Sequence, residues 1–178
     1  MSMTGKRVLV TGGNRGLGLS VVKAMAAAGA EVFAWGRDEK ALALAADLVK
    51  GVSGFCSFHR VDVCDEPAVI AAVEAMGPVD VLVNNAGIAR SRKVLETPTK
   101  ELEDILAINL VGAFVVMREI ARGMVENGGG LIINVASDAA IIGIPGMGPY
   151  CASKHGLLGM GRSLSLELRE QGLRVTTI

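Results

Sequence analysis

An apolar run, Arg7–Val10, delivers the chain straight into Thr11-Gly12-Gly13-Asn14-Arg15-Gly16-Leu17-Gly18, and a helical stretch over Leu17–Ala28 begins before that loop is over. This junction limits what the chain can fold into more than any other feature, because a strand that turns this sharply into a helix forces the helix to pack back on its own sheet. Gly12 permits the tight turn, Gly16 lets backbone approach a ligand, and Gly18 lets the helix lie close on the sheet. The start of the helix then offers unpaired amides and a positive dipole end, which suit the phosphates of a dinucleotide. Asn14, Arg15 and Leu17 share that loop and are candidate contacts with it.

The rest of the chain repeats the alternation. Strand-like runs fall at Arg7–Val10, Glu31–Trp35, Gly54–Val61, Val79–Val83, Gly130–Val135 and Leu173–Ile178. Helical stretches fall at Leu17–Ala28, Glu39–Lys50, Glu66–Ala75, Lys100–Glu126 and Pro149–Gln171. Val8-Leu9-Val10 and Leu131-Ile132-Ile133-Asn134-Val135 are apolar on both pleat faces, as parallel strands covered on both sides must be. The expected fold is therefore α/β, a doubly wound parallel sheet of the Rossmann type in three α/β/α layers, with residues 1–178 as a single domain. Apolar residues make up 51% of the chain and aromatic ones 3%, so its core is aliphatic.

Lysine and arginine total 18, as do aspartate and glutamate. A zero balance gives no overall pull toward nucleic acid or an anionic membrane. No stretch has the length and purity of a membrane span, and Met1–Arg7 is too short and polar for a leader, so the expected location is cytoplasmic. Cys56, Cys64 and Cys151 are odd in number and lack metal-ligand spacing, which makes them buried reduced thiols and leaves no metal site.

The end of the second strand bears on which dinucleotide is bound. A carboxylate about twenty residues past the glycine loop would favour the ribose hydroxyl of NAD. Here Gly36-Arg37 follows Trp35, and Arg15 adds a second guanidinium, a pair suited to the 2′-phosphate of NADP. Asp38 stands next to Arg37 as the counter-argument, and Arg37 as a plain solvated loop residue is the alternative.

Tyr150 and Lys154 stand four residues apart, so on a helix they share a face, and Ser137 lies upstream in Asn-Val-Ala-Ser-Asp. A nearby cation favours the phenolate, and bringing a phenol from its pKa of about 10 toward neutrality takes about 4 kcal/mol. With a serine hydroxyl beside them, these are the parts for moving a proton to or from a carbonyl or alcohol.

With the glycine loop, Asn84-Asn85-Ala86-Gly87 and Tyr150-Cys151-Ala152-Ser153-Lys154 in this order, the chain resembles the short-chain dehydrogenase/reductase family, and within it the 3-oxoacyl-acyl-carrier-protein reductases. The resemblance covers essentially all of the chain. It implies an NADP(H)-dependent oxidoreductase in which Gly12, Gly16 and Gly18 cradle the cofactor and Asp62-Val63 meets its adenine. It also implies that Asn84 and Gly87 support the sheet and border the cofactor, with Asn85 and Ala86 between them. By the same resemblance Asn109 holds a water in a proton relay, Ser137 binds the substrate oxygen and Tyr150 is the acid/base. Lys154 tunes the tyrosine and holds the nicotinamide ribose. Read without the family, Asp62 is a helix-start residue and Asn109 a buried amide in a long helix.

Apolar residues on more than one face of Lys100–Glu126 and Pro149–Gln171 call for a second partner, and the resemblance implies a homodimer or homotetramer through them. Ile141–Pro149 reads as an apolar wall for a small carbonyl or alcohol substrate. Arg90, Arg92 and Lys93 read as a solvated loop or as contacts for an anionic carrier. The run Arg174–Ile178 reads as a buried strand with no turn after it, and the family's substrate lid and last strand are expected beyond it. A non-catalytic nucleotide-binding or scaffold role is the alternative for a chain of this extent.

Overall fold

The structure, a computed structural model, describes residues 2–178. Six strands form one sheet: β1 (Arg7–Thr11), β2 (Glu31–Gly36), β3 (Phe55–Arg60), β4 (Val81–Asn84), β5 (Gly130–Asn134) and β6 (Leu173–Thr177). Their order is β3-β2-β1-β4-β5-β6, and every pairing is parallel. The order reverses between β1 and β4, which opens a crevice at the carboxyl ends of those two strands.

The helices are α1 (Gly16–Ala27), α2 (Glu39–Leu48), α3 (Glu66–Met76), α4 (Thr99–Leu106), α5 (Ala113–Glu126) and α6 (Gly148–Leu168). Alternate strand residues feed two separate cores. Leu9, Phe33, Trp35, Leu82 and Ile132 point to the side covered by α3, α5 and α6, where they meet Val69, Met117 and Leu157. Val8, Val10, Val32, Ala34, Val81 and Val83 point to the other side, where α1 supplies Val22 and Ala26. This two-sided burial is why the inner strands β1, β2 and β4 read as unbroken apolar runs rather than alternating ones. Among the described residues no helix is long and apolar enough to cross a membrane.

Two differences from the sequence reading concern geometry. The expected helix Lys100–Glu126 is α4 and α5 joined by a π-turn, Ala107–Gly112, that carries Asn109. The expected Pro149–Gln171 ends in a 3₁₀ turn, Arg169–Gln171, closed by Gly172 in the left-handed region. The three cysteines are free, but only Cys151 is buried; Cys56 is half-buried and Cys64 exposed.

Candidate active site

The glycine loop is stitched to the turn after β4. Thr11 is fully buried at the end of β1, and its hydroxyl accepts from the amides of Asn85 (2.9 Å) and Ala86 (3.0 Å) while donating to Asn84 Oδ1 (3.2 Å). Asn85 Nδ2 returns bonds to the carbonyls of Thr11 and Gly12, at 3.0 and 3.3 Å. Asn84 Nδ2 donates to the Ala113 carbonyl at 2.9 Å and so ties β4 to α5. Sequence reasoning missed Thr11; its signal was a lone hydroxyl closing an apolar strand just before the glycines.

A cleft of about 380 Å³ opens over this junction. Gly12, Asn14, Arg15, Gly16, Leu17, Gly18, Arg37, Asp62, Val63, Asn85, Ala86 and Gly87 all line it, together with Ile88 and Ile108, which the sequence did not single out. Gly12 has φ +63° and Gly16 φ +53°, while a Cβ on Gly18 would fall on the Gly12 carbonyl and 2.6 Å from Asn85 Nδ2. Nothing stands within 4 Å of a Cβ built on Gly16, so that backbone faces open space.

The three helices that start near this cleft differ at their first turns. In α2, Asp38 caps with its carboxylate accepting from the Ala41 amide, and Glu39 follows. In α3, Asp65 caps the Ala68 amide and Glu66 follows. The start of α1 has no side-chain cap and no acidic residue in its first turn. Its amides and dipole are thus left for an external anion, which is the donor set a diphosphate needs. Asp62 is not the cap of α3; its Oδ1 accepts from the Cys64 amide at 3.0 Å. Arg15 and Arg37 are exposed and enter no ion pair among the described residues.

The expected proton-transfer residues come from three elements. Lys154, on α6, is 5% exposed, donates to the Val135 carbonyl at 2.8 Å and lies 5.7 Å from the centre of the Tyr150 ring. Burial pushes its ammonium down to about 8. Ser137 follows β5; its hydroxyl donates to Asp138 Oδ1 at 2.7 Å and accepts from the Ala139 amide at 3.2 Å. The turn it caps, Asp138–Ala140, packs on α6.

Asn109, in the π-turn, uses its side chain fully as a donor. Nδ2 donates to the Ile88 carbonyl (2.8 Å) and to Ser153 Oγ (3.1 Å), and Oδ1 accepts from the Ile88 amide (2.8 Å). Ser153 Oγ donates in turn to the Tyr150 carbonyl at 2.7 Å. This buried serine was legible only as part of Tyr-Cys-Ala-Ser-Lys; it links the π-turn to the start of α6. Arg90 and Arg92 are solvated, at 49% and 48% side-chain exposure, but not free of partners. Both face Glu101, and Arg90 also faces Asp104.

A cleft of about 570 Å³ lies between α5 and α6, lined by Phe114, Met117, Met160, Leu164 and Leu168 and rimmed by Arg118, Arg122 and Glu167.

Residues 6–178 match the model of the short chain dehydrogenase family. Among curated proteins, the chain is 34% identical to a 3-oxoacyl-[acyl-carrier-protein] reductase of Chlamydia pneumoniae, across all of this chain and 73% of that one. Among solved structures, one described as an NAD(P)-dependent gluconate 5-dehydrogenase from Beutenbergia cavernae, with NADP bound at low occupancy, superposes with a TM-score of 0.93 at 32% identity, covering 99% of this chain and 72% of that one. An NAD⁺-bound xylitol dehydrogenase superposes with a TM-score of 0.95 at 30% identity, covering 99% and 70%. Sequence and fold agree along the whole described chain, and it belongs to the short-chain dehydrogenase family of oxidoreductases.

Proposed function

We propose that this chain catalyses hydride transfer between NADP(H) and the carbonyl or alcohol carbon of a small substrate, with Tyr150 as general acid/base. The observation that carries this reading is Lys154, a buried cation with no carboxylate partner, held by the Val135 carbonyl beside the Tyr150 ring. A protein does not bury an unpaired ammonium for stability, so its retention beside a phenol points to chemistry.

When bound, the nicotinamide cofactor supplies the hydride in reduction and takes it in oxidation. Gly12, Asn14, Arg15, Gly16, Leu17 and Gly18 would hold its diphosphate, with Asp62 and Val63 at the adenine. Asn85, Ala86 and Gly87 would border it, and Tyr150 and Lys154 would hold the nicotinamide ribose. Arg37 and Arg15 favour a 2′-phosphate, because both guanidiniums are unpaired while Asp38 spends a carboxylate oxygen on capping α2.

Tyr150 gives its phenolic proton to the substrate oxygen in reduction and takes it back in oxidation. Lys154, with its pKa near 8, is mostly protonated at pH 7 and favours the phenolate that remains. Ser137 positions the substrate oxygen; its hydroxyl donates to Asp138 Oδ1 and would turn to donate to a carbonyl when one arrives. Both donors of the Asn109 side-chain amide are used and its Oδ1 accepts from the Ile88 amide, so its main-chain carbonyl would hold a relay water. The apolar α5–α6 face is assigned to contact between copies of this chain.

The test is NADPH oxidation with ethyl 3-oxobutanoate and NADP⁺ reduction with xylitol, using wild type and Tyr150→Phe. Turnover with either substrate, at least about a thousandfold slower in Tyr150→Phe with NADPH affinity within about twofold, is expected for loss of an essential acid/base. Wild-type-like rates in that variant would sink the assignment.

A further inference from the structure

Among the described residues the proton path leaves two buried charges without a task, Glu119, which pairs with Arg118 and Arg122 on its own helix, and Glu101. Glu101 lies in the first turn of α4 and is 7% exposed. The same helix face continues through Ile105 and Asn109, each four residues on and each buried. Both polar residues of that face grip one short stretch, residues 88–92. Asn109 holds its start through the amide and carbonyl of Ile88, each at 2.8 Å. Glu101 holds its end: Oε2 accepts from Arg92 Nε at 3.2 Å and lies 3.9 Å from Arg90 Nη1.

The stretch gripped in this way holds a second one. The Arg92 amide donates to the Gly146 carbonyl at 2.8 Å. Gly146 has φ +77°, and a Cβ there would stand 3.2 Å from Ser91 Oγ, so the two stretches are packed as well as bonded. Gly146 belongs to the segment between Ser137 and Tyr150, whose Ile141 and Ile142 are 70% and 52% exposed. The other backbone bonds of that segment are local: Ile141 and Ile142 to the Asp138 carbonyl, and Met147 to Ile144. The Arg92–Gly146 bond ties it to the cofactor side of the molecule, where Ile88 lines the cleft.

We propose that Glu101 is a positioning residue which, through Arg92, sets where the Ile141–Met147 wall stands relative to Tyr150 and the cofactor cleft. It touches no reacting group. A buried carboxylate facing two guanidiniums is retained only where its pairing is kept, so it fixes one arrangement of the loop rather than many. The same pairing sets a carboxylate against Arg90 and Arg92, which offsets their charge beside a wall that is itself apolar. The structural part of the proposal is independent of the catalytic reading; its kinetic part rests on that reading.

Amide hydrogen exchange of wild type, Glu101→Ala, Arg92→Ala and the double variant tests it. Peptides covering 88–93 and 141–147 are expected to exchange about tenfold faster in each single variant and no faster again in the double, as for two members of one contact. Peptides from the glycine loop and β1 exchange as in wild type. In NADPH-dependent reduction of ethyl 3-oxobutanoate, Glu101→Ala raises KM about tenfold while kcat and NADPH affinity stay within about twofold, the pattern of lost substrate placement. Unchanged exchange at 141–147 would overturn the proposal. So would additive effects in the double variant, or acceleration spread through the sheet, which marks plain loss of stability. A fall in kcat at constant KM would overturn it too. The exchange readout needs no turnover, so a chain with the expected exchange pattern and no NADPH oxidation would count against the hydride-transfer reading alone.

Discussion

Lys154 carries a charge that the fold makes costly. Its ammonium drops from 10.5 to about 8 because burial disfavours the charged form. Below pH 8 the native lysine must carry its charge in the interior, and that cost, about 3 kcal/mol, is felt in full. Between about pH 8 and 10.5 the native lysine has released its proton while the unfolded one has not. The unfolded state then binds more protons, and stability rises with pH across this window. Lys154→Met removes the cost and forfeits the bond to Val135, about 1 kcal/mol. The variant is expected to be about 2 kcal/mol more stable at pH 7, with the gain gone by about pH 10, in urea unfolding at both pH values. Lower stability at pH 7 would contradict this account.

The cofactor preference is decided at the same scale. Arg37→Ala should weaken NADPH about tenfold or more and leave NADH within about twofold, measured by fluorescence titration, because only the former offers a phosphate to the guanidinium. Equal losses would assign Arg37 to the loop alone. Individual residues were legible in the sequence where their partners are nearby in it. Tyr150 with Lys154, and Gly12 with Gly16 and Gly18, declare themselves by spacing. Arg90 and Arg92 did not, because the carboxylate that claims them sits on α4, and no sequence period records a loop-to-helix ion pair. Asp38 reads in the sequence as a rival ligand; in the structure it lines the cleft while its Oδ1 accepts from the Ala41 amide at the start of α2, a bond no sequence spacing announces.

At the level of elements, the glycine loop separates two uses of one residue type. Gly18→Ala places a methyl group on the Gly12 carbonyl and should cost about 3 kcal/mol and prevent the loop from closing. Gly16→Ala meets no atom and strains only its backbone, at φ +53°, for about 1 kcal/mol. Thermal unfolding without ligand should therefore separate the two variants clearly, while NADPH titration finds both weakened, Gly16→Ala because its methyl group enters the cleft. Equal stabilities would mean that α1 does not depend on close approach to Gly12. Strands and helices were placed within a few residues by hydrophobic period alone. The π-turn at Ala107–Gly112 was not, since one added residue per turn hardly disturbs a helical pattern. Its purpose becomes visible only when Asn109 is seen reaching Ile88.

For the whole molecule, the open apolar feature is the face between α5 and α6. Leu164 and Met160 on one helix meet Phe114 and Met117 on the other across a cleft rimmed by charge. An interface between copies there would bury an apolar centre inside a polar rim. Leu164→Arg is expected to shift the chain from dimer or tetramer to monomer in light scattering at micromolar concentration; a wild type already monomeric would remove the basis for the assignment.

The strand order has a consequence for how the chain comes to be folded. Val8 of β1 pairs with Val32 on one side and with Val81 on the other. The first partner follows within a single crossover; the second must wait until three helices and two more strands have been made. During synthesis, at about 5–20 residues per second, the β1–β3 half stands for seconds with the outer edge of β1 bare. That edge, Val8-Leu9-Val10, is wholly apolar, and it belongs to the strand that carries the glycine loop. The crevice between β1 and β4 thus forms only when β4 arrives, and until then the nascent chain is exposed to wrong pairing at the strand that carries the glycine loop.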